Sequence, residues 1–394
     1  MIYSKIGNQE ISKLGFGTMR LPLLEDKSID QDQVQKMVDL AIESGVNYFD
    51  TAWPYHGGLS EKSIAQALSK YPRDKYLLAD KYPGHQISSE YKPAEIFEKQ
   101  LEKCNVEYFD YYLLHNIYEN DIDVYEDPRW GIIDYFLEQK KLGRIKHLGF
   151  SSHAYADNLE KFLDRHPGIF EFCQIQLNYV DWDLQDAKRK VDILNNHNIP
   201  IWVMEPVRGG KLANFDEQIN NKLKSLRPDS SIASWAFNFL LNVKGVSVIL
   251  SGMSNIEQMK DNIKTFNENK PLNDEETDLV FEIAKPMSNS VPCTKCRYCT
   301  QGCPMRLDIP NLLAIYNELK VAQAVNAIMY LDTLDSSKLP SACLKCGTCK
   351  QICPQNIDIP IILDELTKTI NVMPKWAEIC KQREEDANRV ELNK

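Results

Sequence analysis

Eight cysteines in two short runs carry the strongest chemical signal in the chain. The first run is Cys293-x2-Cys296-x2-Cys299-x3-Cys303-Pro304 and the second is Cys343-x2-Cys346-x2-Cys349-x3-Cys353-Pro354, each member displaced by 50 positions. Lys295/Lys345, Gln301/Gln351 and Asp308-Ile309-Pro310/Asp358-Ile359-Pro360 repeat with them, so the segment is an internal duplication. Three thiolates at this spacing wrap one face of a cubane iron–sulfur cluster. The fourth, beside a proline that stops the turn, reaches away and in two-cluster proteins ligates the other cluster. Two [4Fe-4S] centres are expected, one on Cys293, Cys296, Cys299 and Cys353, the other on Cys343, Cys346, Cys349 and Cys303. Zinc sites pair two C-x2-C knuckles rather than four-cysteine runs ending in proline. Disulfides need an oxidising compartment, and Met1–Ile11 has no apolar signal core, so a cytoplasmic, reducing setting is expected. Cys104, Cys173 and Cys380 read as ordinary buried thiols.

A second set of polar residues lies in the first 284 positions, and its meaning depends on the elements that carry it. Short β-branched and aromatic runs alternate there with amphipathic stretches, the pattern of βα units around a parallel sheet. Strands are expected at Leu14–Thr18, Val46–Asp50, Tyr76–Lys81, Tyr108–Leu114, Lys146–Ser151, Cys173–Asn178, Pro200–Met204 and Val246–Leu250, with helical stretches between them. Eight such units in about 250 residues predict an α/β fold, a (β/α)8 TIM barrel whose active site lies at the C-terminal strand ends. An open doubly wound sheet is disfavoured, because no G-x-G-x-x-G turn follows the first strand. Asp50 then ends the second strand, with Tyr55 five positions on; Lys81 ends the third, and His115 follows the fourth.

At these residues the chain resembles the aldo-keto reductases. Phe49-Asp50-Thr51-Ala52-x-x-Tyr55, Lys81 after an apolar strand, and Tyr112-Leu113-Leu114-His115 are similar in order and spacing to that family's catalytic tetrad, and the resemblance covers nearly all of residues 1–284. It implies carbonyl reduction, or alcohol oxidation, with NAD(P)H. Hydride addition leaves a developing alkoxide that needs a proton donor beside it. Tyr55 is the candidate acid; a phenol with a pKa near 10 is a poor one, and the ammonium of Lys81 would favour its ionised form and strengthen donation. Asp50 would hold that lysine and balance its charge. His115 would orient the carbonyl and stabilise the oxyanion.

The same resemblance implies a nicotinamide site. Ser151 and Gln174 occupy the places that hold the carboxamide, with Ser152 in place of the family's Asn, and Met204 replaces the aromatic residue that stacks on the ring. Backbone amides around Gly209 and Gly210, and around Ser251 and Gly252 before a helix, are placed for the pyrophosphate and adenosine phosphate. Gln258 and Asn262 match adenine-contacting positions. Ser254 and Asn255 stand where basic residues commonly grip a 2′-phosphate, so NAD, NADP and a flavin in the same cleft all stay open. Trp53, Tyr82, Tyr118, Tyr179 and Trp182 form an aromatic wall for the substrate or pack the loops.

Residues 285–394 resemble two-cluster ferredoxins. The 39-residue gap between Cys303 and Cys343, with an amphipathic stretch Asn311–Leu331, predicts the mainly helical ferredoxin-like variant of that iron–sulfur domain. Charge supports two domains, 1–284 and 285–394, since the second part has 14 basic against 12 acidic residues while the whole chain has 46 against 56. A net charge of −10 is wrong for coating nucleic acid. Apolar runs such as Val246–Leu250 and Ile359–Leu363 are far short of the ~18 residues of a membrane helix, so no membrane partner is expected. Hydride chemistry moves two electrons and a [4Fe-4S] centre passes one, so exchange between the halves calls for a converter such as a flavin. Three arrangements follow: a carbonyl reductase with a structural or partner-docking cluster domain, a reductase coupled to a ferredoxin or flavoprotein, and an electron-transfer or redox-sensing subunit whose barrel binds a nucleotide without carbonyl reduction.

Overall fold

The computed structural model describes residues 1–86, 88, 90–118, 121–287, 291, 293, 298–321, 325–353, 357–379 and 381–382. The expected ligand Cys296 and the thiol Cys380 lie outside the described residues. Among the described residues there are ten strands: β1 (Tyr3–Ile6), β2 (Gln9–Ser12), β3 (Leu14–Gly17), β4 (Tyr48–Asp50), β5 (Leu77–Tyr82), β6 (Phe109–Ile117), β7 (Ile145–Ser152), β8 (Cys173–Gln176), β9 (Ile201–Met204) and β10 (Val246–Ser251). β3 to β10 pair in parallel in chain order, and β10 closes on β3. The eight expected strands are therefore the eight barrel staves.

Strand parity places the site. Tyr48, Leu77, Ala79, Tyr111, Leu113, Phe172, Trp202, Val248 and Leu250 fill one apolar cluster, which is the barrel interior. Side chains alternate with a period of two, so two residues on from Tyr48, Ala79 and Leu113 come Asp50, Lys81 and His115, again facing inward. The ladder aligns them: Asp50 is level with Ala79, and Lys81 with Leu113. The other face of the same strands, with Phe49, Leu78, Tyr112 and Phe150, packs on the surrounding helices.

The β1–β2 hairpin was not evident from periodicity. It lies across the N-terminal end of the barrel, where Ser4 Oγ donates to Ser247 O (2.8 Å) and Asn47 joins Ser12 and Glu10. Ile11 is fully buried within the barrel-interior cluster, so the hairpin plugs the end opposite the tetrad. Two further unexpected helices, Glu217–Leu226 and Asp274–Met287, are tied by Arg227, which donates to both oxygens of Glu276 at 2.6 Å. The second of these helices packs Leu279, Val280, Ile283 and Ala284 on the barrel core.

The C-terminal region is helical, and its duplication is structural. Helices Tyr298–Gln301 and Ile309–Val321 have counterparts 50 residues on in Thr348–Gln351 and Ile359–Asn371. Their equivalent residues Leu307/Ile357, Ile309/Ile359 and Leu313/Leu363 meet in one separate core. Among the described residues no helix is long and apolar enough to cross a membrane.

Replacing Ile11 by Ala removes the plug's apolar contact and should lower stability by about 2–4 kcal/mol. Urea unfolding checks this, and an unchanged midpoint would show that the hairpin does not brace the barrel.

Candidate active site and cluster cradle

Lys81 and Asp50 lie at the floor of the barrel mouth, 1% and 2% exposed. The ammonium is ion-paired to Asp50 and donates to Thr51 O at 2.7 Å. A chain of hydroxyls fixes the end of β4: Thr18 Oγ1 donates to Asp50 O (2.9 Å), Ser60 Oγ donates to Thr18 Oγ1 (2.7 Å), and Thr51 Oγ1 lies 3.0 Å from Ser60 Oγ. Burial alone would lower Lys81, but the charge of Asp50 and then Tyr55 holds its pKa above the ordinary lysine value. A buried pair of this kind is costly to break from one side.

Tyr55 opens a turn, Tyr55–Gly58, in which His56 and Gly57 take left-handed backbone angles. That turn brings the phenol ring over Lys81, 5.0 Å from its ammonium, and edge-on to His115 with centroids 5.9 Å apart. All four expected catalytic positions therefore meet. One expectation changes: Lys81 does pull the Tyr55 pKa down, but burial outweighs it and Asp50 adds to burial, so the phenol stands above its ordinary value. His115 is held neutral, well below the usual histidine range, by burial and then by His85.

The expected nucleotide positions divide. Gln174 is level with Ser151 on adjoining strands and buried, with Oε1 lacking a partner, which fits a carboxamide N–H. Ser151 Oγ accepts from Asn116 N at 2.7 Å, while Asn116 Oδ1 is also buried and unpartnered. Ser152 is turned away, donating to Ile117 O and accepting from Ala154 N. Asn116 is thus the amide that stands beside Ser151, a residue the spacing did not flag. Met204 ends β9, partly buried. Ser251 and Asn262 bond to each other at 2.9 Å inside the fold, so neither is turned outward. Gln258 is exposed and accepts from Ser254 N at 2.8 Å. Gly209 and Gly210 have left-handed backbone angles in the turn Arg208–Gly210. Arg20, ion-paired to Glu205 at 3.1 Å, lies between this turn and Gly252. The aromatic wall does not form as such: Tyr82 packs on Tyr125 and Phe136, and Tyr179 and Trp182 pack on Phe239.

In the C-terminal region Cys303, Cys343, Cys346 and Cys349 line one cavity with Gly302, Gly347 and apolar residues. Cys303 comes from the first run and stands here with three thiols of the second; Cys353 is not among the lining residues. The N–H of Lys345 donates to Cys343 Sγ at 3.4 Å. Among the described residues no group of three or more His, Cys, Asp or Glu side chains is placed to hold a metal ion. Thiols ringing a cavity suit a cluster of several atoms better than one zinc ion.

The aldo/keto reductase family model matches residues 13–285, and a 4Fe-4S dicluster domain matches residues 292–357. The chain belongs to the aldo/keto reductase family. It is similar to an uncharacterized oxidoreductase, YqkF, of Bacillus subtilis, 26% identical over 67% of this chain and 90% of that one. It is also similar to the NADH-specific methylglyoxal reductase of Escherichia coli, 24% identical over 70% and 96%. Among solved structures, the holo form of the aldo-keto reductase AKR11C1 from Bacillus halodurans aligns with a TM-score of 0.59 at 25% identity, over 72% of this chain and 96% of that one. The protein is an aldo-keto reductase-type oxidoreductase carrying a 4Fe-4S domain.

The two parts of this aldo-keto reductase touch at the C-terminal end of the barrel strands. Helix Ile309–Val321 of the iron–sulfur part packs on Asp181–Leu184, the short helix after β8. Asp181 is buried and accepts from Gln176 Nε2 (2.8 Å), Asn178 Nδ2 (2.6 Å) and Arg208 Nε (3.1 Å). Glu318 faces this network, and burial, then Asp181, push its carboxyl up to about 7 against Arg208 and Lys190. A carboxyl raised in the folded state adds stability at low pH that is lost as pH rises through its folded pKa. Glu318→Gln should therefore reduce the drop in thermal midpoint between about pH 5 and about pH 8; an identical drop in both proteins would show that Glu318 is not the group that titrates.

Proposed function

We propose that the barrel reduces a carbonyl with a nicotinamide dinucleotide and that residues 285–394 hold two [4Fe-4S] clusters for one-electron transfer. The observation that carries the first part is the Lys81–Asp50 pair buried beneath Tyr55 and His115. Gln174, Ser151 and Asn116 would hold a nicotinamide, which would supply the hydride. Tyr55 donates its hydroxyl proton to the substrate oxygen as negative charge gathers there. Lys81 stabilises the phenolate left behind, which offsets the burial that raises the phenol in the resting site. Neutral His115 donates a hydrogen bond to the same oxygen and repels no cation. The turn Arg208–Gly210 and the region of Gly252 would hold its diphosphate.

The second part rests on the crossing of Cys303 into the cavity of Cys343, Cys346 and Cys349, with Cys353 assigned to the other set alongside Cys293, Cys296 and Cys299. Helix Ile309–Val321 packs on Asp181–Leu184, at the same end of the barrel as Lys81 and His115. That placement favours electronic coupling over a remote structural role, through a flavin or a flavoprotein partner as converter.

Tyr55→Phe should lower kcat/KM for carbonyl reduction by about 10²-fold or more while NADH still quenches the protein's fluorescence; full activity would remove Tyr55 as the acid. Anaerobically purified protein should be brown, and addition of NADH with a flavin should bleach it. Bleaching by dithionite alone would leave the barrel and the clusters uncoupled.

A further inference from the structure

Behind Lys81 lies a buried acidic pair that the reduction does not use. Successive residues of a strand face opposite ways, so Asp80 points from β5 toward the surrounding helices while Lys81 points into the barrel. Asp80 and Glu61, the latter from helix Ser60–Leu68, are both 0% exposed, and their side chains meet in a hydrogen bond. Lys103, Cys104 and Gln100 face the pair from helix Pro93–Cys104, and Tyr112 faces it from β6. Lys103 is the cation that pairs with it, 2.8 Å from Glu61 Oε2, since Lys81 on the other side of the strand is paired to Asp50.

The hydrogen bonds imply a shared proton. Asp80 accepts from the N–H of Lys81 through Oδ1 (2.8 Å) and from the Cys104 thiol through Oδ2 (3.7 Å). Glu61 takes Lys103 on Oε2, and its Oε1 is buried with no donor. Two ionised carboxylates in contact would repel each other and leave that oxygen unsatisfied. One proton between them removes both costs. Burial, then the charge of Glu61, pushes the Asp80 carboxyl well up, whereas Lys103 restrains the rise at Glu61, so the proton belongs to Asp80.

The pair is joined to both ends of the catalytic arrangement. Asp80 holds the N–H of Lys81, and Gln100, which accepts from the Tyr112 hydroxyl, donates to the C=O of Lys81 at 3.1 Å. At the other end Lys103 lies 3.8 Å from the centroid of the Trp53 ring and beside Gly58. Trp53 and Gly58 bracket Tyr55, so the ammonium held by Glu61 covers the turn that carries the phenol.

We propose that Asp80 and Glu61 share one proton and act as a positioning pair that ties the Tyr55 turn to the strand end of Lys81, keeping the phenol over the ammonium. The use of this pair in catalysis rests on the carbonyl-reductase reading above; the shared proton does not.

Asp80→Asn places an amide N–H where the proton lies and keeps one negative charge on the pair, whereas Asp80→Ala removes both links. The infrared difference spectrum, native holoprotein minus Asp80→Asn at pH 8, should show the C=O stretch of a protonated carboxyl, and a difference without that band overturns the shared proton. Amide hydrogen exchange across residues 53–59 should be about 10-fold faster or more in Asp80→Ala and in Lys103→Ala, and close to native in Asp80→Asn. Lys103 is at the rim of the pair, so Lys103→Ala leaves the core in place; native exchange in that variant overturns the positioning role. With 4-nitrobenzaldehyde and NADH, Asp80→Ala should lower kcat by about 10-fold or more with KM little changed, and Asp80→Asn should restore most of the loss. Equal losses in the two variants also overturn the positioning role. A native protein that shows the band but reduces no aldehyde overturns the carbonyl-reductase reading and leaves the proton-sharing pair standing.

Discussion

The ion pair of Lys81 and Asp50 is the constraint on which the site depends. Two opposite charges are buried at the top of a barrel otherwise filled by Tyr48, Leu113, Trp202 and their neighbours. Such a pair is tolerable only when geometry is fixed and remaining donors are satisfied. The fold meets both terms: Thr51 O takes a second hydrogen of the ammonium, and the hydroxyls of Thr18, Ser60 and Thr51 pin the strand end that carries Asp50. Around that fixed charge the Tyr55 turn and the β6 end close in. The same low-polarity setting that strengthens the pair raises Tyr55 and keeps His85 and His115 neutral, so one environment sets the ionisation of the whole mouth.

The barrel was legible because its signal is local. Each stave has an apolar run, and parity from Tyr48 to Asp50 or from Leu113 to His115 turns inward residues into site residues without any knowledge of distant contacts. The cysteine runs were legible for a similar reason, their spacing being a property of a few consecutive turns. Residues contributed by loops were not. His85 lies beyond a strand end with no spacing that marks it, and Asn116 is visible only once its amide is seen beside Ser151. Asn262 and Ser251, both expected at the nucleotide, are joined to each other by a hydrogen bond, a pairing that depends on how the helix Ile256–Glu268 sits against β10. The hairpin β1–β2 was missed because four-residue strands carry too short a pattern. Glu318 could not have been found in either part alone, since its environment is made by the other.

The iron–sulfur part lies beside the C-terminal strand ends of the barrel. A helix laid on Asp181–Leu184 meets the barrel at the strand-end loops, where chemistry is positioned, rather than at the outer helices. Asp181 gathers Gln176, Asn178 and Arg208, so the contact reaches residues on β8 and on the turn after β9 together.

The 50-residue repeat has a consequence for assembly. Its helix pairs meet in a common core, and Cys303 of the first copy enters the cavity of the second. The first copy thus completes the cavity of the second, to which a peptide tether joins it. Neither half-repeat can form this cavity on its own, so both copies must be present before it can close.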